Sequence, residues 1–122
     1  MNLKMLLAVS TLVAALPAFA HDMAKGPHGG RVVEAGDYHV ELVAKGTRVE
    51  VFLTEAGDKP VAPAGFKGVA ILMIGGKSAR VALEPTGNTK LSGTAPSDLP
   101  TDPKGVVQIT SAQAKTAQAK FN

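Results

Sequence analysis

The sequence contains no cysteine and no tryptophan, and its aromatic side chains are four phenylalanines and one tyrosine. Without cysteine there is no disulfide framework, no thiolate metal site, no redox-active dithiol and no cysteine nucleophile. The shortage of aromatics removes the stacking surfaces that single-stranded nucleic acid needs, and the basic residues are scattered without an arginine cluster. Neither sign of charge dominates: with Lys4 set aside, twelve basic side chains face ten acidic ones. No nucleic-acid partner is expected. An HExxH motif is absent, and so is any arrangement of serine, histidine and aspartate that would suggest nucleophilic catalysis. Gly75-Gly76-Lys77 has the spacing of a hairpin turn, not of a phosphate loop. No enzyme is expected; a copper redox enzyme using His21 is the least favoured alternative, since a domain of this size leaves little surface for a substrate cleft.

Long hydrophobic runs are also missing, apart from one at the start. Lys4 followed by the apolar stretch Met5 to Leu16 and by Ala18-Phe19-Ala20 has the layout of a signal peptide over residues 1–20, with cleavage before His21. The run is shorter than the ~20 residues of a spanning helix, so an exported, periplasmic chain without a membrane span is expected. Removing the first twenty residues leaves 102, enough for one small domain.

What the chain does have is three histidines, His21, His28 and His39, close together near the mature start. Residues 21–30 lack periodicity and hold three glycines and a proline, which suits a flexible leader. From Arg31 onward β-branched runs dominate, and residues 31–122 read as one domain. Arg31 to Ala35 and Tyr38 to Ala44 are separated by Gly36-Asp37, a two-residue turn; Lys45-Gly46 would then lead into a strand from Thr47 to Thr54.

With both turns tight, Val33, Val40 and Val51 share an apolar face with Leu42, Val49, Tyr38 and Leu53. The opposite face holds Glu34 beside His39 beside Phe52, and Val32 beside Glu41 beside Glu50. Residues 55–68 read as a long connection with at most a short strand near Val61. Val69 to Ile74 and Lys77 to Glu84 form a second hairpin, whose register stays open between a two-residue and a three-residue turn. Short strands follow at Thr89 to Gly93 and Gly105 to Ser111. The tail Ala112 to Lys120 fits either a short helix or a last strand burying Ala117, Ala119 and Phe121, and its alternation favours the strand. The expected fold is all-β: a small antiparallel β-sandwich, immunoglobulin-like or an open barrel, of about seven strands.

These positions suggest a metal site. An N-terminal His21 offers an α-amine and an imidazole together, which suits the planar nitrogen ligation of Cu(II). Gly29-Gly30 would let the backbone bend the His28 ring toward the sheet. His39 stands among Glu34 and Glu41, with same-face neighbours about 6 to 7 Å apart. Glu41 opposite Glu50 calls for a positive group between them, either a metal or an ordinary partner such as Arg31, Arg48 or a lysine. The candidate ligands are therefore His21, His28, His39, Glu34, Glu41 and Glu50. Nitrogen and oxygen donors without thiolates favour a divalent transition ion, Cu(II) first, with Zn, Co or Ni also accommodated. Met23 could add a thioether. A metal-free module that docks a partner through its sheet face or edge is the competing expectation.

The segment Pro27-His28-Gly29-Gly30-Arg31-Val32-Val33-Glu34-Ala35-Gly36-Asp37-Tyr38-His39-Val40-Glu41-Leu42-Val43 resembles small exported domains linked to heavy-metal resistance. Such domains occur alone or near the N-terminus of periplasmic adaptor subunits of RND-type heavy-metal efflux pumps. The Gly75-Gly76-Lys77 hairpin and Leu91-Ser92-Gly93 are similar too. The resemblance implies a periplasmic β-sandwich that binds or hands over a transition metal, with His28, His39 and Glu41 at the matching positions and an efflux component as partner. The long helical hairpin and barrel segments of a full adaptor are absent from this sequence.

Overall fold

The computed structural model describes residues 24–122; the expected signal peptide, His21 and the start of the leader lie outside the described residues. Every regular element among the described residues is a β-strand. They are β1 (Ala24–Lys25), β2 (Arg31–Ala35), β3 (Tyr38–Lys45), β4 (Arg48–Glu55), β5 (Lys59–Pro60), β6 (Lys67–Ile74), β7 (Lys77–Thr86), β8 (Lys90–Thr94), β9 (Gly105–Thr110) and β10 (Thr116–Phe121). The count exceeds the expected seven because β1, from the presumed leader, adds to β2, β5 adds a two-residue pairing on β4, and the tail is a strand.

All pairings are antiparallel, in the order β1-β2-β3-β4-β8-β7-β6-β9-β10, and the sheet curls into an open barrel. Across the opening, β2 comes near β10 without strand pairing. There the Arg31 guanidinium donates to the carbonyls of Asn122 at 3.0 Å and Pro103 at 2.5 Å, and sits 5.7 Å from the centre of the Phe121 ring.

Inside the curl, the alternate residues of each strand form one core. Val40, Leu42, Val49, Val51 and Leu53 meet Leu72, Val81, Leu83, Leu91, Val107, Ile109 and Phe121, all nearly inaccessible. Phe66 closes one side, its ring edge-on to Tyr38. The period-two alternation read from the sequence therefore does bury the expected face.

The registers divide. Gly36-Asp37 is a two-residue turn, so Val33 faces Val40 and Glu34 faces His39 as expected. In the second hairpin Ile74 pairs with Lys77 and Leu72 with Ala79, so Gly75-Gly76 is the two-residue alternative. Between β3 and β4, however, the turn is Gly46-Thr47, with Lys45 facing Arg48. Gly36, Gly46 and Gly75, the first central residues of the three tight turns, have φ of 58°, 57° and 56°. That position demands positive φ, which a lysine at 45 would have to adopt against its Cβ. The correction shifts the β3–β4 pairing by two residues, which leaves the buried face intact but changes every neighbour on the outer face. Glu41 is opposite Phe52 and not Glu50; His39 is opposite Thr54.

The tail resolves in favour of the strand. Residues 112–115 turn with Ala114 at φ 63°, Ser111 and Lys115 exchange hydrogen bonds, and β10 buries Ala119 and Phe121. The loop after β8 folds back on the β3–β4 turn: the Ala95 and Leu99 N–H groups donate to the Thr47 and Gly46 carbonyls.

Candidate functional site

The expected flexible leader is, from residue 24 on, hydrogen-bonded to the sheet. Ala24 and Lys25 pair with Val32 and Arg31. Between the strands the chain turns through Gly26-Pro27-His28-Gly29, closed by Gly26 N–H to Gly30 O at 2.8 Å and Gly29 N–H to Gly26 O at 3.0 Å, with Gly29 at φ 81°. Side chains at two of these positions would not fit. A Cβ at Gly26 would overlap the Glu41 carboxylate, and one at Gly30 would overlap the Leu42 carbonyl oxygen.

The turn lies over the outer face of β3 and is pinned by Glu41. This carboxylate is 4 % exposed, and both its oxygens are engaged. Oε2 accepts the backbone N–H groups of His28 and Gly30, each at 2.9 Å, while Oε1 meets His28 Nδ1 at 2.7 Å. Hydrogen bonds of this kind are what make burial of a carboxylate tolerable. A carboxylate only accepts, so the contact calls for the hydrogen on Nδ1, the tautomer that leaves the Nε2 lone pair free. The ring itself lies flat on Phe52, with centroids 3.6 Å apart and planes 6° from parallel. Two independent contacts thus fix the plane and the tautomer of His28, whose side chain is still 46 % exposed.

His39 and Glu34 meet as the β2–β3 register requires, with Nε2 to Oε1 at 3.5 Å, but Glu34 is largely in solvent and the contact is loose. His28, His39, Glu34, Glu41 and Phe52 line a single open groove. Glu50 is elsewhere. It faces Val43, and its Oε2 takes a 2.5 Å hydrogen bond from Lys90 Nζ. That hydrogen bond holds its pKa below the ordinary value of 4.5; burial opposes the shift, and the charges of Lys90, Lys45 and Arg48 add to it.

The two carboxylates expected to repel across the sheet are therefore separated, and each has its own counter-group. For Glu50 this is a lysine, though Lys90 rather than Arg31 or Arg48; for Glu41 it is the leader turn. Among the described residues no group of three or more His, Cys, Asp or Glu side chains is placed to hold one metal ion. Among the described residues, no buried side-chain nitrogen or oxygen lacks a hydrogen-bond partner. Sequence reasoning missed Phe52 as the support of His28 and Lys90 as the partner of Glu50. Placing the β3–β4 turn at the glycine-first position would have revealed Phe52.

Comparisons with protein-family models, with curated proteins and with solved structures find no match to the chain.

Proposed function

We propose that this protein binds a divalent transition metal ion, Cu(II) first and Zn, Co or Ni next, as an exported carrier or buffer without catalytic turnover. The observation that carries this reading is the immobilised imidazole of His28. Metal-bound histidines characteristically donate their second ring nitrogen to a carboxylate, which fixes the tautomer and aims the other nitrogen at the ion. The Glu41–His28 pair has that arrangement, and stacking on Phe52 removes the ring's remaining freedom before any ion arrives.

In this reading Glu41 is a positioning residue, Glu50 belongs to the Lys90 pair, and His28 Nε2 is the first ligand. His39, on the same groove, is the second, with Glu34 as its partner. His21, outside the described residues, is the third ligand in this proposal, with an amine and a ring to offer once the chain starts there. Delivery to a periplasmic efflux component accords with the resemblance of residues 27–43.

Calorimetric titration of the chain starting at His21 with Cu(II) and Zn(II) tests the proposal. The expected result is a dissociation constant below about 10 µM, roughly 7 kcal/mol. Weakening of about tenfold or more is expected for His28→Ala, and of similar size for Glu41→Gln through lost orientation. Failure of the unaltered chain to bind either ion at that level would refute the carrier role.

A further inference from the structure

The outer face of β6, β7, β9 and β10 plays no part in the metal reading. Its strands bury Ala70, Leu72, Val81, Val107, Ile109 and Ala119 inward, so alternation turns Val69, Ile71 and Met73 of β6 outward. Ile71 and Met73 are 44 % and 42 % exposed and are the exposed large hydrophobic residues among those described. They are two apart on one strand and so stand side by side.

One cation, Arg80, adjoins Ile71 by register, and three others lie farther out. Ile71 lies between Arg80 of β7 and Val106 of β9, and Val106 faces Lys120 of β10. The Met73 N–H donates to the Lys104 carbonyl at 2.8 Å, and Lys67 begins β6. Lys67, Arg80, Lys104 and Lys120 are all exposed, and none forms an ion pair with a described residue. The charge of the chain is skewed in the same direction. Residues 67–122 contain seven basic and three acidic side chains, whereas residues 24–66 contain five and six.

We propose that this face docks on an anionic lipid surface, with Ile71 and Met73 entering the interfacial layer and Arg80, Lys104, Lys120 and Lys67 meeting the phosphates. Charge complementarity points to an anionic partner. The exposed aliphatic pair selects lipid over an acidic protein segment, because Ile71 and Met73 have an apolar layer to enter in a bilayer interface, which a purely acidic segment does not offer. A small apolar insertion combined with a basic patch is the two-part signal that peripheral attachment requires, since either part alone is marginal. The proposal is independent of metal binding.

The test is co-sedimentation of the chain starting at His21 with vesicles of phosphatidylcholine containing about one third phosphatidylglycerol, and with vesicles of phosphatidylcholine alone. The expected result is binding to the anionic vesicles that falls steeply as salt rises from about 0.05 to 0.5 M. Arg80→Gln and Lys120→Gln should each lower the partition coefficient about fivefold, and the double variant Ile71→Ser with Met73→Ser should lower it about tenfold or more. All four positions are exposed, so unchanged thermal midpoints will show that the variants fold. Equal binding to both vesicle types, or no binding to the anionic ones, overturns the proposal. Retention by soluble polyglutamate with the vesicles left unbound also overturns it and assigns the face to an acidic protein.

Discussion

Glu41 and Glu50 are both acidic side chains buried on the outer face of neighbouring strands, yet they are held by different means. Glu41 is satisfied by two backbone N–H groups and an imidazole from one local turn, whereas Glu50 depends on the single ammonium of Lys90. Replacing Lys90 by Met leaves a carboxylate at a site 6 % exposed without its partner. The expected cost near neutral pH is about 1–3 kcal/mol, read by urea unfolding.

The pH dependence has a definite sign. The folded-state pKa of Glu50 lies below its ordinary value of 4.5, so the pair's contribution is complete above that value and is lost as pH falls through the lower, folded one. The stability gap between the parent protein and Lys90→Met should therefore narrow steadily as the medium is acidified below about pH 4.5. A gap that is constant with pH would show that Lys90 contributes only its aliphatic packing. At this scale the Glu34–His39 contact was legible because one turn fixes it. The His28–Glu41 contact was half legible, from the bend that Gly29-Gly30 allows, because it joins residues thirteen apart across an irregular segment.

Among the elements, the tight turns decide which outer-face residues meet. Gly36, Gly46 and Gly75 each take the first central position with positive φ, and at Gly46 there is room for a side chain, the nearest atom to an added Cβ being Asp98 Oδ1 at 3.9 Å. The penalty for Gly46→Ala is thus one of backbone conformation alone, about 1–2 kcal/mol. Gly46→Asn should cost clearly less, because asparagine tolerates the left-handed region. Denaturant midpoints of the two variants check this, and equal losses would mean that the Cβ meets something else.

The buried faces were readable from alternation alone, including β10 from Ala117, Ala119 and Phe121. The β3–β4 register was not, because a shift of two residues preserves alternation and only the conformational demand on the first turn residue separates the two pairings. The short β1 was unreadable from periodicity, being two residues long and held by pairing to β2.

In the whole molecule the sheet is assembled from two local units, β2–β3–β4 and β6–β7–β8, each made of consecutive hairpins. The ladder between β4 and β8 joins them, pairing Val51 with Leu91 and Arg48 with Thr94 across the whole of β6 and β7. The chemistry proposed for the protein is divided in the same way, with the imidazole groove on the first unit and the basic, apolar-tipped wall carried mainly by the second with β9 and β10. All-β topology was legible from the density of short β-branched runs and glycine and proline turns. The curl that brings β10 against β2 was not, because Arg31 reaches carbonyls of residues 103 and 122 that no local pattern relates to it.

The strand order has a kinetic consequence. Hairpins close quickly, but the β4–β8 ladder cannot form until a chain of some forty residues has been brought end to end, and β9 must then insert beside β6 from a similar sequence distance. Folding should accordingly take milliseconds to seconds, with the meeting of β4 and β8 as the slow event. In stopped-flow experiments, truncating Leu91 to Ala should slow refolding by most of its equilibrium effect, whereas Ala119→Gly on the last-added strand should act chiefly on unfolding. The reverse pattern would place the nucleus at the C-terminal edge.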